Sequence, residues 1–440
     1  MNDVPRRKIL QWGLGAAGVG ALAACQPPVD PKKAAGTTVP PAPSPLPPAS
    51  TTVPPTTSTL PPTTTTTQPI GPAPSPSARS LVVIEMAGGH DGNSLGIPYA
   101  DASYYARRPT VSIPAAQVLH LNNSFGLNPN LARVYRRPLA LIEGLGHPNP
   151  NFSHSEMLRR WWFGDTDGNQ YPRYGFLGRL CDEIATSDAA ATGVSLSGGP
   201  SAALAAQSAV TLSMDPGSDG KFPGYGDAGM NAAWIAGQRA MSQEDRAEAT
   251  MLYAGRQGIR TALRFSDLMT SIPASTVGYP DTGLGAQLAA AVRLLRAGAG
   301  IRIVHVPFNG GFDTHEDHLS THNALMMELD GALDAFLQEL GGLGLTQNVL
   351  VATTSEFGRR ANQNSNGLDH GTATVGLLAG AIHAGVYGQH PNWTTLDPSN
   401  GNLRATVTMG QYYATLAQWL GVSPGDVLAG NPAPLAGITL

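Results

Sequence analysis

The densest concentration of reactive side chains in this 440-residue sequence is "VHVPFNGGFDTHEDHLSTH", Val304 to His322. An apolar run ends in Asn309-Gly310-Gly311. Asp313, His315, Glu316, Asp317, His318 and His322 follow at once, in a chain that has only 11 histidines. Three other segments share the pattern. "LVVIEMAGGHDGN" leads into His90 and Asp91, "NVLVATTSEFGRR" leads into Glu356 and Arg359-Arg360, and "GLDHGT" sets Asp369 and His370 just ahead of an apolar run. Carboxylates and imidazoles that converge make a site for a divalent cation such as Zn²⁺ or Mn²⁺. One loop cannot surround an ion, so the ligands must come from several segments. Asp313 and His315 lead the candidates. His318 and His322 fall in register with Met326, Leu329, Leu333, Phe336 and Leu340, one face of a helix at spacings of three and four. A core role and a ligand role are both open to them.

A second feature is "PNPNFSHSEMLRRWW". Ser153 and Glu156 have capping-box spacing, with each side chain satisfying a free amide at a helix start. The same position suits a nucleophile or ligand, because helix N-terminal amides favour anionic oxygens; Ser153 and His154 are the residues concerned. Arg359 beside a metal would suit bidentate binding of an anion, or a structural ion pair. Glu85 and Glu143 interrupt apolar runs, where an unpaired charge is costly. A pKa-shifted pair or a contact at a strand end would each resolve that cost. The sequence contains no Walker A loop, H-E-x-x-H or paired C-x-x-C.

These residues need a scaffold, and the apolar pattern predicts one. Short, nearly continuous apolar runs at 81–87, 139–145, 301–308, 348–354 and 374–381 read as parallel strands covered on both faces. Helical periodicity separates them: after the second strand, over about 243–270, ahead of 301, after His318, and in "GQYYATLAQWLG" near the end. Alternating strand and helix predicts one α/β domain over residues 79–440, a mostly parallel sheet with helices on both faces. In such sheets ligands bind beyond the carboxyl ends of the strands, where the acidic and histidine-bearing segments fall. Gly88-Gly89 and Gly310-Gly311 would let the backbone turn sharply there. Residues 190–300 carry the weakest pattern and read as an insertion or cap.

Residues 1–25 combine Arg6-Arg7-Lys8, a short Gly- and Ala-rich apolar stretch and Leu22-Ala23-Ala24-Cys25. This is the pattern of a twin-arginine signal peptide ending in a lipobox. It predicts export and a lipid-modified Cys25, tied to the outer face of the membrane or to the cell surface. Gly13-Leu14-Gly15-Ala16-Ala17-Gly18 matches a dinucleotide fingerprint in letters only, since no strand precedes it. Residues 26–78 hold 17 Pro and 12 Thr, the composition of an extended, disordered linker. Lipidation of Cys25 leaves Cys181 alone, with the helical surroundings of a buried, inert thiol. The formal net charge of −4 argues against a nucleic-acid partner.

The order "GGHDGN", "SHSEMLRRWW", "YGFLGR", "GGFDTHEDH", "SEFGRR" and "LDHGT" resembles domain-of-unknown-function family 1501 across most of 79–440, and that family resembles a branch of the alkaline phosphatase and sulfatase superfamily. The resemblance implies an alkaline phosphatase-like fold and one or two divalent ions (Zn, Mn, Ca or Mg). It places Asp313, His315 and His370 on one metal, and Asp91, Glu356 and Ser153 or His154 on another. Asp369 and His318 are further candidates. Two departures stand out. Glu356-Phe357 occupies the place of an adjacent Asp-His, and Asp313 and His315 are two apart instead of four. The resemblance implies a metal-dependent hydrolase of phosphate or sulfate esters or a related anionic substrate, small or polymeric. In it Ser153 is the nucleophile, Arg359 an oxyanion partner, and His154 or His318 an acid or base. The alternative is a degenerate member that binds metal without turnover and acts in binding or assembly.

Overall fold

The computed structural model describes residues 78–440 apart from 219, 225 and 244–250. The expected signal peptide and all but the last residue of the expected linker lie outside the described residues. The apolar runs form strands of one sheet: β1 (Ser80–Met86), β2 (Leu139–Gly146), β3 (Gly193–Ser195), β4 (Thr211–Ser213), β5 (Ile303–Phe308), β6 (Val349–Thr354), β7 (Thr374–Gly380), β8 (Gly385–Gly388) and β9 (Val407–Thr408). The strand order is β8-β2-β7-β6-β1-β5-β3-β4, with β9 also paired to β2.

Helices cover both faces, as expected for strands without alternation. They are α1 (His154–Phe163), α2 (Phe176–Ile184), α3 (Ala228–Gln243), α4 (Met251–Ser271), α5 (Gly283–Arg296), α6 (His318–Gly342) and α7 (Met409–Trp419). Successive β1 side chains divide between two cores. Val82, Ile84 and Met86 pack with residues of α5 and α6, and Leu81 and Val83 with residues of α1, α2 and α7. Burying such a side chain stabilises the fold by roughly 1.5–3 kcal/mol, so the central strand fixes both layers.

One strand departs from the expectation. β7 runs antiparallel to both neighbours, β2 and β6, while the other pairings are parallel. A strand buried on both faces shows no period by which its direction can be read. The reversal matters for the site. The other strands deliver the residues that follow them to the carboxyl edge, and β7 delivers to that edge the residues that precede it, including Asp369 and His370.

Residues 190–300 are more than a cap, because they supply strands β3 and β4 and helix α5, which packs on the sheet. The helix expected over about 243–270 contains α4, Met251–Ser271, and residues 244–250 lie outside the described residues. Cys181 is fully buried on α2, and burial raises its thiol pKa. Among the described residues, no helix is long and apolar enough to cross a membrane.

Candidate metal centre

Five segments meet at the carboxyl edge. The turn after β1 depends on its glycines. Gly88 and Gly89 have φ of 120° and 73°, a region L side chains rarely enter. A Cβ on Gly88 would lie 2.7 Å from the Asp313 amide nitrogen, and one on Gly89 2.1 Å from the Phe357 ring. The turn therefore packs its bare backbone against the segments that follow β5 and β6. Its carbonyls at Gly88 and Gly89 accept hydrogen bonds from Arg359, and its Gly88 amide donates to Glu356 Oε1 at 2.8 Å.

Asp313 is the centre of the cluster. Its Oδ1 lies 3.1 Å from His315 Nε2 and 3.2 Å from His370 Nε2, and its Oδ2 lies 3.4 Å from His154 Nε2. Each of the three imidazoles is anchored through its other nitrogen. His154 Nδ1 donates to Glu356 Oε1 at 2.9 Å, His315 Nδ1 to Asp369 Oδ1 at 3.0 Å, and His370 Nδ1 to the Phe152 carbonyl at 2.7 Å. A neutral ring that donates from Nδ1 carries its lone pair on Nε2. The lone pairs thus turn toward the two oxygens of Asp313, those of His315 and His370 to Oδ1 and that of His154 to Oδ2.

The donors fit a cation. His315 Nε2 and His370 Nε2 are 3.0 Å apart, a repulsive contact between lone pairs unless a positive centre lies between them. One proton bridges two such atoms, but the Asp313 carboxylate also lies against both rings. Zn–N bonds of about 2.0–2.1 Å place neighbouring ligand atoms on the order of 3.3 Å apart in a tetrahedron. The observed separations to Asp313 bracket that spacing. His154, Asp313 and His370 offer ligand atoms within 4.8 Å of one another. Imidazoles oriented by carboxylates and a carbonyl are the usual surroundings of metal-bound histidine.

The electrostatics agree with this layout. Burial alone would raise the Asp313 pKa, but the hydrogen bond and charge of Arg359, with His154 and His315, outweigh it and hold the carboxyl below its ordinary value. The hydrogen bond to Glu356 raises His154 against the lowering effect of burial. Burial lowers His370. Asp313 and His315 are 44% and 43% exposed, so the donors open to solvent on one side.

Several expected roles change in the structure. Asp91 does not join the donors. It forms a bidentate pair with Arg108 at 2.7 and 3.1 Å, and both side chains are fully buried. Burial would raise its pKa, yet the Arg108 charge and His318 drive it well below the ordinary value. Glu356, 1% exposed, holds His154 and the Gly88 amide in place and does not face the open side. Asp369 likewise anchors His315 and receives a hydrogen bond from Asn364.

Arg359 is also committed inside the protein. Its side chain is fully buried, and its three nitrogens donate to the Gly88, Gly89, Phe312 and Leu368 carbonyls and to Asp313 Oδ1. It fixes the acid instead of meeting an incoming oxyanion. His318 is fully buried, 2.7 Å from Thr314 Oγ1 and 3.0 Å from Ser94 Oγ. It therefore pins the residue between Asp313 and His315.

Ser153 caps α1 by position, but its hydroxyl meets Ser155 Oγ at 3.1 Å and makes no cap bond. Glu156 turns to Arg159 and Arg160, so the expected capping box does not form. The sequence expectation set His154 on a second metal, and it passed over Arg108 as the partner of Asp91. His154 had a signal, a histidine at a helix start beside the predicted edge. Arg108 had none.

Residues 140–435 match a family described as "Protein of unknown function (DUF1501)". The chain belongs to this family. No curated protein matches it. Among solved structures, it is similar to the lipoteichoic acid synthase LtaP from Listeria monocytogenes, with 8% identity, 82% of this chain and 76% of that chain covered, and a TM-score of 0.38. It is similar to alkaline phosphatase from the Antarctic bacterium TAB5, with 11% identity, 68% and 91% covered, and a TM-score of 0.31. It is also similar to the sulfatase PsFucS1 from Pseudoalteromonas sp., with 12% identity, 81% and 73% covered, and a TM-score of 0.34. Overlaps this loose leave the functional reading to the residues themselves.

Proposed function

We propose that the domain is a metal-dependent hydrolase of phosphate or sulfate esters, or of a related anionic substrate, in a branch of the alkaline phosphatase and sulfatase superfamily. The observation that carries this is the set of three imidazoles, each anchored through Nδ1, that turn Nε2 toward Asp313. Asp313 and the Nε2 atoms of His154 and His370 would hold the ion, with His315 Nε2 beside Asp313 and His370 as a further donor. A donor set rich in nitrogen favours Zn²⁺ or a similar transition ion over Ca²⁺ or Mg²⁺, which take oxygen ligands. A bound ion would polarise the ester oxygen and lower the pKa of a water or hydroxyl. Arg359 holds the Asp313 carboxylate ionised and oriented. Glu356, Asp369 and the Phe152 carbonyl fix the imidazole tautomers. Ser153, at the start of α1 beside His154 and free of a cap bond, is the proposed nucleophile, and the amides of the first helical turn favour an anionic oxygen next to it.

The amino-terminal pattern supports placing this domain outside the membrane on a lipidated Cys25 and the Pro- and Thr-rich linker. A second reading, a binding member without turnover, draws on the contact of Ser153 Oγ with Ser155 Oγ, neither of which is a donor of the centre. A panel of phosphate, sulfate and phosphonate esters, assayed with and without added Zn²⁺ or Mn²⁺, separates the two. Metal-dependent turnover that Ser153→Ala abolishes supports the hydrolase. A folded, metal-loaded protein that turns over none of them supports the binding member.

A further inference from the structure

On the opposite side of β1 from its Val82, Ile84 and Met86 side chains, the edge carries a second set of reactive groups that the metal centre does not use. Glu85 lies near the end of β1, and His305 lies on β5 beside Ser195, the last residue of β3. Glu85 and His305 are 8% and 4% exposed. Glu85 Oε2 accepts from Trp162 Nε1, and it lies 3.3 Å from His305 Nε2. Burial alone would raise the Glu85 pKa, but His305 and Trp162 outweigh it and keep the acid below its ordinary value. The ionised carboxylate accepts a hydrogen bond from Nε2–H, which leaves the lone pair on Nδ1. Two hydroxyls reach that nitrogen, Ser195 Oγ at 3.0 Å and Ser201 Oγ at 3.3 Å.

The neighbouring hydrogen bonds tell the two apart. Ser197 Oγ donates to the Gly199 carbonyl, which only accepts, so Ser197 receives the proton of Ser195 at 2.9 Å. The single Ser195 proton is thereby used, and the proton that meets His305 Nδ1 is that of Ser201. Ser201 is also the more accessible of the two. Ser195 is fully buried, whereas Ser201 is half-buried and follows the exposed residues Ser197, Gly198 and Pro200. A Cβ added at Gly199 would meet nothing within 4 Å, so the loop is open at that residue.

We infer that Ser201, His305 and Glu85 form a serine acyl-transfer site, separate from the metal centre, that accepts uncharged carboxylic esters. Ser201 Oγ attacks the acyl carbon while its proton passes to His305 Nδ1. Glu85 balances the charge of the imidazolium, and Ser195 Oγ accepts a hydrogen bond from the new Nδ1–H. The alcohol leaves with that proton, and water repeats the sequence to release the acid. The formal charge in this chain of contacts is the carboxylate of Glu85, which disfavours the anionic esters suited to the metal centre.

The test is reaction of the full chain with a fluorophosphonate probe, mapped by peptide mass spectrometry, with and without EDTA. The expected result is a covalent adduct on Ser201 that EDTA does not prevent and Ser201→Ala removes. His305→Gln should slow its formation by about 100-fold or more. If His305→Gln does not fold, Glu85→Gln makes the same comparison. No adduct on the folded wild-type chain, an adduct confined to another serine, or an unchanged rate in the His305 or Glu85 variant overturns the inference. None of these outcomes bears on metal binding by Asp313.

Discussion

His315 and His370 turn their Nε2 atoms toward each other at 3.0 Å, while their Nδ1 atoms donate to Asp369 and to the Phe152 carbonyl. Two imidazoles held in this way have no proton to share by ordinary tautomerism. Their residues arrive from different directions of the chain, one after β5 and one before the antiparallel β7. A proton carried by one ring or the proposed cation would relieve the contact, and the first prediction tests the cation.

Asp369→Asn should weaken metal binding by about 10–100-fold, the usual effect of removing a partner that orients a metal-bound histidine. The side chain keeps its size but loses the charge that fixes the His315 tautomer. Competition against a chromophoric chelator measures the affinity. Unchanged affinity would show that Asp369 does not orient a ligand.

Arg108→Met should destabilise the domain by about 3–5 kcal/mol, because it leaves the Asp91 carboxylate buried without its partner. Both groups are fully buried. Urea unfolding provides the measurement. The metal bound per folded chain should not change, since Asp91 is paired with Arg108 and does not face Asp313. Loss of metal with little loss of stability would return Asp91 to the ligand set.

Legibility in the sequence divides along physical lines. The five principal strands were readable because buried strands leave apolar runs. Asp313, His315 and His370 stood out because the chain has few histidines and these follow or precede such runs. The direction of β7 was not readable, because a strand covered on both faces carries no polarity in its composition. The role of Asp91 depended on Arg108, 17 residues away, with no pattern linking them. Arg359 could not be distinguished from a substrate-binding arginine, because most of its partners are backbone carbonyls, which every sequence has.

Gly89→Ala should destabilise the protein by more than about 1 kcal/mol, since alanine is disfavoured at positive φ. Its Cβ would also meet the Phe357 ring. Gly199→Ala, in open space, is the matched control and should shift the thermal midpoint little. Equal midpoints for the two variants would contradict the account of the turn after β1.

Glu143, a charge inside a strand, finds His390 Nδ1 at 2.7 Å. Burial would lower the His390 pKa, but Glu143 and then Asp101 outweigh it and raise it. A histidine raised on folding stabilises the protein fully below its unfolded value of about 6.5. That contribution is lost as pH rises through the folded-state pKa. The difference in unfolding free energy between wild type and His390→Asn should therefore be largest in mild acid and shrink toward alkaline pH. A difference that grows with pH would refute the pairing.

The central claim rests on Asp313 and its three imidazoles, and the most direct test is the metal content of the purified chain by elemental mass spectrometry, with Asp313→Asn as the comparison. The account predicts one tightly held transition ion per wild-type chain and its loss in the variant. A folded wild-type chain prepared with metals available that retains none, or a variant that retains as much as wild type, would contradict it.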